Sequence, residues 1–345
     1  MLKSFVKWVG GKNQLLSILE IFTKEYQEDL QNGKRIYFEP FLGVGALFLH
    51  LQPSKAIIND INEELITTWK TLKTSSREVI NLLEEYVQKL NEFKEKFYYQ
   101  LRDEPINQKD PIYRTARFIF LNKTGFNGIY RVNSKNKFNV TFNKKTNINL
   151  NTIVNLDNLK QLIRFLNKKN IIQILQQDFV NVISQAQKGD LIFCDPPYDI
   201  ETKSSFDSYN PIAFGKEGQI RLFNELKKAD ERGVIWILTN HSTKFINDLY
   251  KDFNIQNVPV DRFINSNGDK RKNATFETII TSYPLSSSQQ KEIDLEIFSK
   301  ELKTTSFFLS GYTSWKKHTE FLKENENLIE ELNNLCIQIR NRILG

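Results

Sequence analysis

The 345-residue sequence has few cysteines, few histidines and no long apolar segment. Its two cysteines, Cys194 and Cys336, form no paired-spacing motif, so we expect neither a disulfide framework nor a thiolate zinc site. The three histidines are scattered along the chain, and no metal centre is predicted. No segment approaches the ~18 consecutive apolar residues that can span a bilayer.

The N-terminal segment also lacks the continuous apolar core of a secretory signal peptide, because Lys7, Gly10, Gly11 and Lys12 interrupt it. The mean hydropathy is −0.46, and 40% of the residues are hydrophobic, as in ordinary globular proteins. The length allows one large α/β domain with an insertion, or two modest domains. We therefore expect a cytoplasmic protein.

Acidic residues are absent from one long internal stretch, between Asp110 and Asp157, although the net charge of the chain is only +7. The basic residues of this acid-free stretch are Arg114, Arg117, Lys123, Arg131, Lys135, Lys137, Lys144 and Lys145. A charge run by itself is usually a solvated face. Here aromatic and asparagine side chains are interleaved with it, which suits phosphate contact, base stacking and hydrogen bonding to base edges. The stretch therefore favours binding to a polyanion.

Several short apolar segments have the character of buried strands in a mostly parallel sheet. They are Arg35–Phe41, Ala56–Asp60, Ile171–Asp178, Leu191–Pro197, Gly233–Asn240 and Glu277–Tyr283. Helical patterns between several of them predict an α/β fold with a doubly wound, Rossmann-like sheet. Ligands of such sheets bind beyond the carboxyl ends of the strands, where Glu39, Asp60, Asp178 and Asp195 are expected to lie.

Residues 64–166 interrupt this alternation between the second and third predicted strands. They are mainly helical in pattern, but Arg131–Phe142 alternates like a β-hairpin with Ser134–Asn136 as its turn. We interpret 64–166 as a substrate-recognition subdomain inserted into a catalytic domain of residues 1–63 and 167–284. Residues 285–345 are expected to form a helical C-terminal extension of unknown role.

A glycine turn follows the first predicted strand in the segment FEPFLGVGALF. Gly43 and Gly45 allow the backbone to turn tightly and to approach a ligand. Their spacing is not that of the dinucleotide-binding pattern, so NAD is a poor fit. Asp60 follows the next strand and is placed to accept hydrogen bonds from ribose hydroxyls.

The most specific motif is DPPY, Asp195–Tyr198. Two consecutive prolines fix an extended backbone and remove two N–H donors, which leaves an edge of acceptors suited to an amino group. Tyr198 adds a stacking face for a planar base. Near the N-terminus, the segment KWVGGK, Lys7–Lys12, places glycines and a lysine just before a helix, an arrangement that suits a carboxylate or a phosphate.

Together these motifs resemble the Dam-type, or alpha-group, DNA N6-adenine methyltransferases. The resemblance covers residues 3–284 and includes Asn122–Asn133 (NKTGFNGIYRVN) and Ile264–Pro284. It implies a methyltransferase fold, S-adenosylmethionine as cofactor, and methyl transfer to N6 of an adenine flipped out of double-stranded DNA. It also implies a bacterial or phage restriction–modification context. A cognate restriction endonuclease and a monomeric or weakly dimeric state are further expectations.

The resemblance also implies individual roles. The catalytic residues would be Asp195, Pro196, Pro197 and Tyr198, with the target amino group donating to Asp195 and to the Pro196 carbonyl. The cofactor-binding residues would be Trp8, Gly10, Lys12, Glu39, Pro40, Phe41, Gly43, Asp60, Asp178, Phe179 and Asp195. The DNA-binding residues would be Lys7, Phe126, Asn127, Ile129, Arg131, Asn133, Lys135, Lys137, Asn139 and Thr141.

The residues leave two alternatives open. One is a cytosine-N4, RNA or protein-glutamine methyltransferase on the same scaffold, although the aspartate at position 195 favours adenine. The other is a DNA-binding protein without enzymatic activity. Many relatives that resemble Asn122–Asn133 methylate GATC, and we expect this site here, although Thr141 stands where such relatives usually carry proline.

Overall fold

A computed structural model describes residues 2–8, 11–106, 109–133, 137–144, 149–168, 171–199, 214–260 and 275–297. Contacts within the chain divide it into two compact units, residues 1–289 and 290–345. All the elements discussed below lie in the first unit. No helix in the described ranges is both long and apolar enough to cross a membrane.

A seven-stranded sheet forms the centre of the first unit. Its strands are β1 (Tyr37–Glu39), β2 (Lys55–Asn59), β3 (Ile171–Leu175), β4 (Leu191–Cys194), β5 (Ile235–His241), β6 (Asn254–Val260) and β7 (Thr275–Thr281). They are arranged in the order β3-β2-β1-β4-β5-β7-β6, with β7 antiparallel to both of its neighbours and the other pairs parallel. The predicted α/β fold is confirmed. The strand order reverses between β1 and β4, and such a switch point opens a crevice at the carboxyl ends of the strands.

Strand β6 was not predicted from the sequence. Its segment NIQNVPV contains Pro259, which argues against a strand in the interior of a sheet. In the structure β6 is an edge strand, where a missing N–H donor is tolerated. The position of β6 at the edge depends on the order of the strands, which could not be predicted from the sequence.

Helices cover both faces of the sheet. The described α-helices are α1 (Leu16–Thr23), α2 (Gln27–Gln31), α3 (Ala46–Leu51), α4 (Glu63–Thr74), α5 (Ser76–Phe93), α6 (Glu95–Asp103), α7 (Pro111–Thr124), α8 (Leu150–Ile153), α9 (Leu156–Asn167), α10 (Phe179–Ile183), α11 (Gly215–Glu231) and α12 (Lys244–Leu249). Alternate strand residues face opposite sides. Phe38 therefore belongs to the core cluster that includes Leu222 of α11, while its neighbour Tyr37 stacks on Phe48 of α3. The central strands β1 and β4 are thus buried on both faces.

The insertion between β2 and β3 is built largely of α5, α6 and α7. Helix α7 begins at Pro111, with the Asp110 side chain accepting hydrogen bonds from the first turn, and it ends before Gly125. The predicted hairpin is present as isolated antiparallel bridges, Val132 with Phe138 and Gly125 with Phe142, rather than as regular strands in the described residues. Its expected turn at 134–136 lies outside those residues.

Two basic residues of the acid-free stretch serve the fold. Arg117 is 6% exposed, and its guanidinium donates to the carbonyl oxygens of Leu101 at 2.8 Å and Arg102 at 2.6 Å. Arg114 forms an ion pair with Glu64 of α4. A count of charges along the sequence therefore overstates the basic surface of this stretch.

Candidate active site

The glycine turn after β1 is held by a carboxylate that follows β2. Gly43 and Gly45 both have positive φ, at 50° and 64°, a region that disfavours any side chain. The Gly43 N–H donates to Asp60 Oδ2 at 2.8 Å. Asp60 Oδ1 accepts the N–H of Asn62 at 2.9 Å. Burial raises the pKa of Asp60, and the hydrogen bonds from these two N–H groups oppose that effect.

A buried amide, missed in the sequence analysis, joins the ends of three strands. Asn59 is 1% exposed and donates to the carbonyl oxygens of Pro40 and Gln177, each at 3.0 Å. Its Oδ1 accepts the Gln177 N–H at 2.9 Å. An asparagine at a strand end has the same sequence signal as a turn residue, so only the structure identifies this role.

Glu39, at the end of β1, is an almost fully buried carboxylate. Its Oε2 accepts a hydrogen bond from Tyr37 Oη at 2.7 Å. Burial raises the pKa of Glu39 well above its usual value, and the nearby charges of Asp195 and Asp60 add to the increase. A cationic group of a ligand placed beside Glu39 would therefore be stabilised. Ile61, which also lies at this edge, exposes 68% of an apolar side chain.

Asp178 and Phe179, predicted to receive the cofactor adenine, already have protein partners. Asp178 caps α10 by accepting the Val180 N–H at 2.9 Å, and both of its oxygens contact the Arg221 guanidinium, at 3.1 and 3.0 Å. Phe179 is 7% exposed and packs against Phe214, with ring centroids 5.7 Å apart. Phe41 packs against the Phe179 ring, with centroids 5.2 Å apart.

The N-terminal motif is joined to the insertion. Buried Asn122 of α7 accepts the Lys7 N–H and donates to the carbonyl oxygens of Lys7 and Gly128, all at 2.9 Å. The Trp8 ring stacks on Tyr130, with centroids 5.3 Å apart and an interplanar angle of 20°. Neither Asn122 nor Tyr130 was predicted as a site residue. Gly10 lies outside the described residues.

The DPPY segment follows β4, and its carboxylate has two close donors. Lys12 Nζ and Thr239 Oγ1 each lie 2.8 Å from Asp195 Oδ1. Lys12 is 5% exposed, and its ammonium also sits 4.6 Å from the centroid of the Tyr198 ring. From the sequence, Lys12 was predicted to lie near the cofactor carboxylate. In the structure, this lysine contacts Asp195 and the Tyr198 ring.

Tyr198 is held at both its ring and its hydroxyl. The hydroxyl donates to Glu277 Oε2 at 2.8 Å, and the ring meets the His241 ring edge-on at 4.6 Å. Burial raises the pKa of Tyr198 well above its usual value, and the charges of Asp195 and Glu277 add to this effect. His241 Nδ1 lies 2.9 Å from the Asp199 carbonyl.

A buried amide pair holds the second proline of the motif. Gln219 of α11 is 1% exposed, and its Nε2 donates to the Pro197 carbonyl at 2.8 Å. Its Oε1 accepts from Asn240 Nδ2 at 3.1 Å. Of the two proline carbonyls in the motif, the one at Pro197 therefore already has a donor.

The predicted DNA-binding residues form an exposed recognition segment, which we define as residues 126–142. Phe126 is 53% exposed, and Asn127 has a positive φ of 56°. Arg131 is exposed and donates through Nε to Asn139 Oδ1 at 2.8 Å. Lys137 and Thr141 are also exposed, whereas Ile129, Asn133 and Asn139 are partly buried. Lys135 lies outside the described residues.

Lys7 lies next to this segment. A Cβ atom added at Gly128 would lie only 2.5 Å from Lys7 Cδ, so the lysine stem passes directly over the glycine. The Lys7 side chain is exposed. Burial lowers the pKa of the adjacent Lys123, and the charge of Lys7 adds to the decrease. The structure thus brings Lys7 next to the recognition segment, whose residues were predicted with it to bind DNA.

Comparisons with known proteins bear on this arrangement. Residues 8–263 match the family of D12 class N6 adenine-specific DNA methyltransferases. The chain is 37% identical to type II methyltransferase M1.LlaDCHI of Lactococcus lactis over 287 residues, which cover 82% of this chain and 96% of that protein. It is 38% identical to type II methyltransferase M.MjaIII of Methanocaldococcus jannaschii, with 81% and 99% covered. Identity to the DNA adenine methylase of Escherichia coli is 29%, with 78% and 92% covered.

Proposed function

The chain belongs to the D12 class of N6 adenine-specific DNA methyltransferases, and from this premise we propose that its methyl donor is S-adenosylmethionine and its target a flipped-out adenine in a short duplex site. The observation that carries the proposal is the edge of acceptors at Asp195–Tyr198, which opens at the switch point of the sheet. A base stacked in a duplex cannot bring N6 to such a recessed edge. Flipping removes this obstacle at a cost of a few kcal/mol.

The proposed chemistry requires Asp195 and the Pro196 carbonyl to accept the two hydrogens of the target amino group. The N6 lone pair is delocalised into the adenine ring and is a poor nucleophile. Two fixed acceptors raise electron density on the nitrogen and direct its lone pair towards the methyl donor. Asp195 also stabilises the positive charge that develops on nitrogen, and this stabilisation is set up before the reaction. Tyr198 is proposed to stack on the flipped base.

The carboxyl edge fits S-adenosylmethionine, which when bound supplies an electrophilic methyl group on a sulfonium. The buried carboxylate of Glu39 suits the cationic amino group of its methionine part. Asp60 suits the ribose hydroxyls, because a carboxylate has about four lone-pair sites and the backbone N–H groups of Gly43, Ile61 and Asn62 leave it further acceptor capacity. Ile61 offers an apolar surface for the adenine ring. Lys12 is proposed to turn from Asp195 to the cofactor carboxylate.

Duplex DNA is the substrate of this family, and the recognition segment is proposed to contact it. Lys7, Lys135 and Lys137 are proposed to bind phosphates or guanine edges, and Phe126 is proposed to enter the base stack beside the flipped adenine. Arg131 has the donor fork that pairs with O6 and N7 of a guanine, worth ~1–3 kcal/mol of discrimination. The remaining contacts are assigned to Asn127, Ile129, Asn133, Asn139 and Thr141.

We propose GATC as the recognised site. A restriction–modification context with a partner endonuclease is supported by the names of the type II relatives. We further propose that residues 1–63 and 167–284 are the catalytic domain, that 64–166 recognise DNA, and that the enzyme acts as a monomer or weak dimer. A cytoplasmic location follows from its DNA substrate.

The chemistry is tested by incubating the enzyme with plasmid DNA from a methylation-free host and S-adenosylmethionine, and then digesting the DNA to nucleosides. We expect N6-methyladenine as the product. N4-methylcytosine, or no product despite measured binding of the cofactor and DNA, would contradict the proposal. The same DNA is then challenged with an endonuclease that GATC methylation blocks. Complete cleavage after confirmed methyl incorporation would exclude GATC as the site.

A further inference from the structure

The acceptor atoms of the DPPY segment differ in how many donors already contact them. Asp195 Oδ1 receives both Lys12 and Thr239, and the Pro197 carbonyl receives Gln219. A carboxylate oxygen has about two lone-pair sites, so Oδ1 is filled. In the part of the chain that the structure describes, no donor contacts Asp195 Oδ2 or the Pro196 carbonyl. While Lys12 stays on Oδ1, two acceptors without a donor among the described residues remain, as many as an amino group has hydrogens.

The orientation of Gln219 is fixed by its surroundings. Asn240 Oδ1 accepts the backbone N–H groups of Asp199 at 3.0 Å and His241 at 2.9 Å, so the other side of this amide must donate. Asn240 Nδ2 therefore faces Gln219 Oε1, and Gln219 Nε2 is left to face Pro197. The Pro197 carbonyl therefore accepts a hydrogen bond from Gln219. This conclusion depends on the backbone N–H groups of Asp199 and His241, which can only donate.

Of the two donors on Asp195 Oδ1, Thr239 is the fixed one. It is fully buried on β5, and its β-branched side chain has a restricted χ1. Its hydroxyl lies 2.8 Å from Asp195 Oδ1 and 3.5 Å from the Cys194 carbonyl, and it also reaches the Tyr198 hydroxyl. The single hydroxyl hydrogen is assigned to Asp195, because a carboxylate oxygen can only accept whereas the tyrosine hydroxyl can itself donate. Lys12, by contrast, carries its ammonium on a flexible four-carbon stem. The orientation of the carboxylate therefore depends on Thr239 even if Lys12 turns away.

We propose that Thr239 is a positioning residue for methyl transfer, which holds the Asp195 carboxylate so that Oδ2 and the Pro196 carbonyl face the target amino group. The inference rests on the proposed function, since it requires Asp195 to accept a hydrogen from that amine. A reacting group must be held within about 10–20° of its productive geometry. Rotation of an unheld carboxylate would therefore reduce the rate of transfer without affecting how cofactor or DNA binds.

The test is the substitution Thr239→Val, which keeps the branched shape and removes the hydroxyl. We expect kcat to fall about 10- to 100-fold, as for the loss of one hydrogen bond to a charged group. The dissociation constants for S-adenosylmethionine and DNA should not change. Thr239→Ser keeps the hydroxyl and should restore most of the rate. If the valine variant does not fold, Thr239→Ala removes the same hydroxyl without placing a methyl group in its position.

A double substitution separates positioning from general loss of structure. If Thr239 acts through Asp195, adding Thr239→Val to Asp195→Asn should cause no further loss of rate. A wild-type kcat for Thr239→Val beside an inactive Asp195→Asn enzyme would overturn the inference and leave the proposed function standing. A weaker cofactor or DNA affinity with unchanged kcat would overturn it as well. Full activity of Asp195→Asn would instead contradict the proposed function itself.

Discussion

The acceptor edge at Asp195–Tyr198 and the recognition segment 126–142 are built in opposite ways. At the acceptor edge, Asp195, Pro197 and Tyr198 are each held by a hydrogen bond from or to another element. In the recognition segment, Phe126 and Lys137 are exposed. Arg131 is bound to Asn139 of the same segment. One region is organised before any ligand arrives, and the other presents groups that can exchange their partners.

This difference follows from what each region is proposed to do. Stabilising a developing charge depends on dipoles and charges that are already in place, because reorganisation during the reaction would cost free energy. Phosphate contact depends instead on the number of cations that displace counterions from DNA. Long, exposed side chains are sufficient for that purpose. Substitutions in the first region should therefore change the rate, and substitutions in the second should change affinity or specificity.

The largest effect is expected at the acceptor edge. Replacing Asp195 by asparagine should lower kcat by ~10²–10³, because the charge that stabilises the transition state is lost. Steady-state kinetics with calorimetry should show this loss while cofactor and DNA binding persist. Retention of more than about a tenth of the wild-type rate would exclude the proposed role.

A substitution of Asp60 tests whether cofactor binding and catalysis depend on different residues of this edge. Asp60→Ala should weaken S-adenosylmethionine binding by roughly 1.5–3 kcal/mol, the contribution of a hydrogen bond to a charged group. The rate at saturating cofactor should change less. Asp103→Ala is the control, because that exposed acid pairs with its neighbour Arg102. Equal affinities of the two variants in calorimetry would remove Asp60 from the cofactor site.

In the recognition segment, Arg131→Ala should relax specificity at one base pair by ~1–3 kcal/mol. The reason is that a guanidinium fork reads a single guanine. The measurement is kcat/KM on DNA duplexes that each differ from GATC at one position. A similar loss of kcat/KM on every duplex would indicate that Arg131 contacts a phosphate, as is proposed for Lys137.

Phe126 tests whether exposure in this segment serves base flipping. Phe126→Ala should reduce the fluorescence increase of 2-aminopurine at the target position, since stacking on an aromatic ring contributes ~1–3 kcal/mol per base. Phe93→Ala is a matched control, because Phe93 is similarly exposed, at 48% against 53%, but lies at the end of α5. Equal signals from wild type and Phe126→Ala would argue against a wedge.

The smallest effect is expected for single lysines. Lys137→Ala should flatten the dependence of log affinity on log salt by about 0.9, the value for one phosphate contact. Lys144→Ala should flatten it less, because Lys144 already pairs with Glu95 at 3.1 Å. Binding titrations at several salt concentrations give both slopes. If the slope of the Lys137 variant matched that of wild type, Lys137 would be a solvated side chain.

Much of the catalytic edge could be predicted from the sequence, because short motifs there follow directly after strands. DPPY after β4 and the glycine turn after β1 were both found in this way, and the structure brings them to one edge of the sheet. The roles of Asn59, Asn122 and Thr239 could not be predicted. Asn59 contacts a residue 118 positions away along the chain, Asn122 one 115 away and Thr239 one 44 away, so no local pattern marks these contacts.

Charge patterns were less reliable than motifs. The acid-free stretch predicted a basic surface, yet Arg117 is buried against backbone carbonyls and Arg114 pairs with α4. The sequence shows how many charges a segment has, whereas the packing of α7 decides which of them reach solvent. The structure adds a contact with the Arg221 guanidinium to Asp178, whose predicted role in binding the cofactor stays a prediction.

The sequence by itself determined the α/β class and the family and predicted the site residues, because these depend on local spacing and on residue types that few other sites need. Only the tertiary structure decided which acceptor atoms remain available at the DPPY edge and which basic side chains remain exposed. Hydrogen bonds and burial are set by residues far apart in the chain. The side chains that hold the catalytic carboxylate, Lys12 and Thr239, become its neighbours only when β4 and β5 pair and the N-terminal segment packs against them.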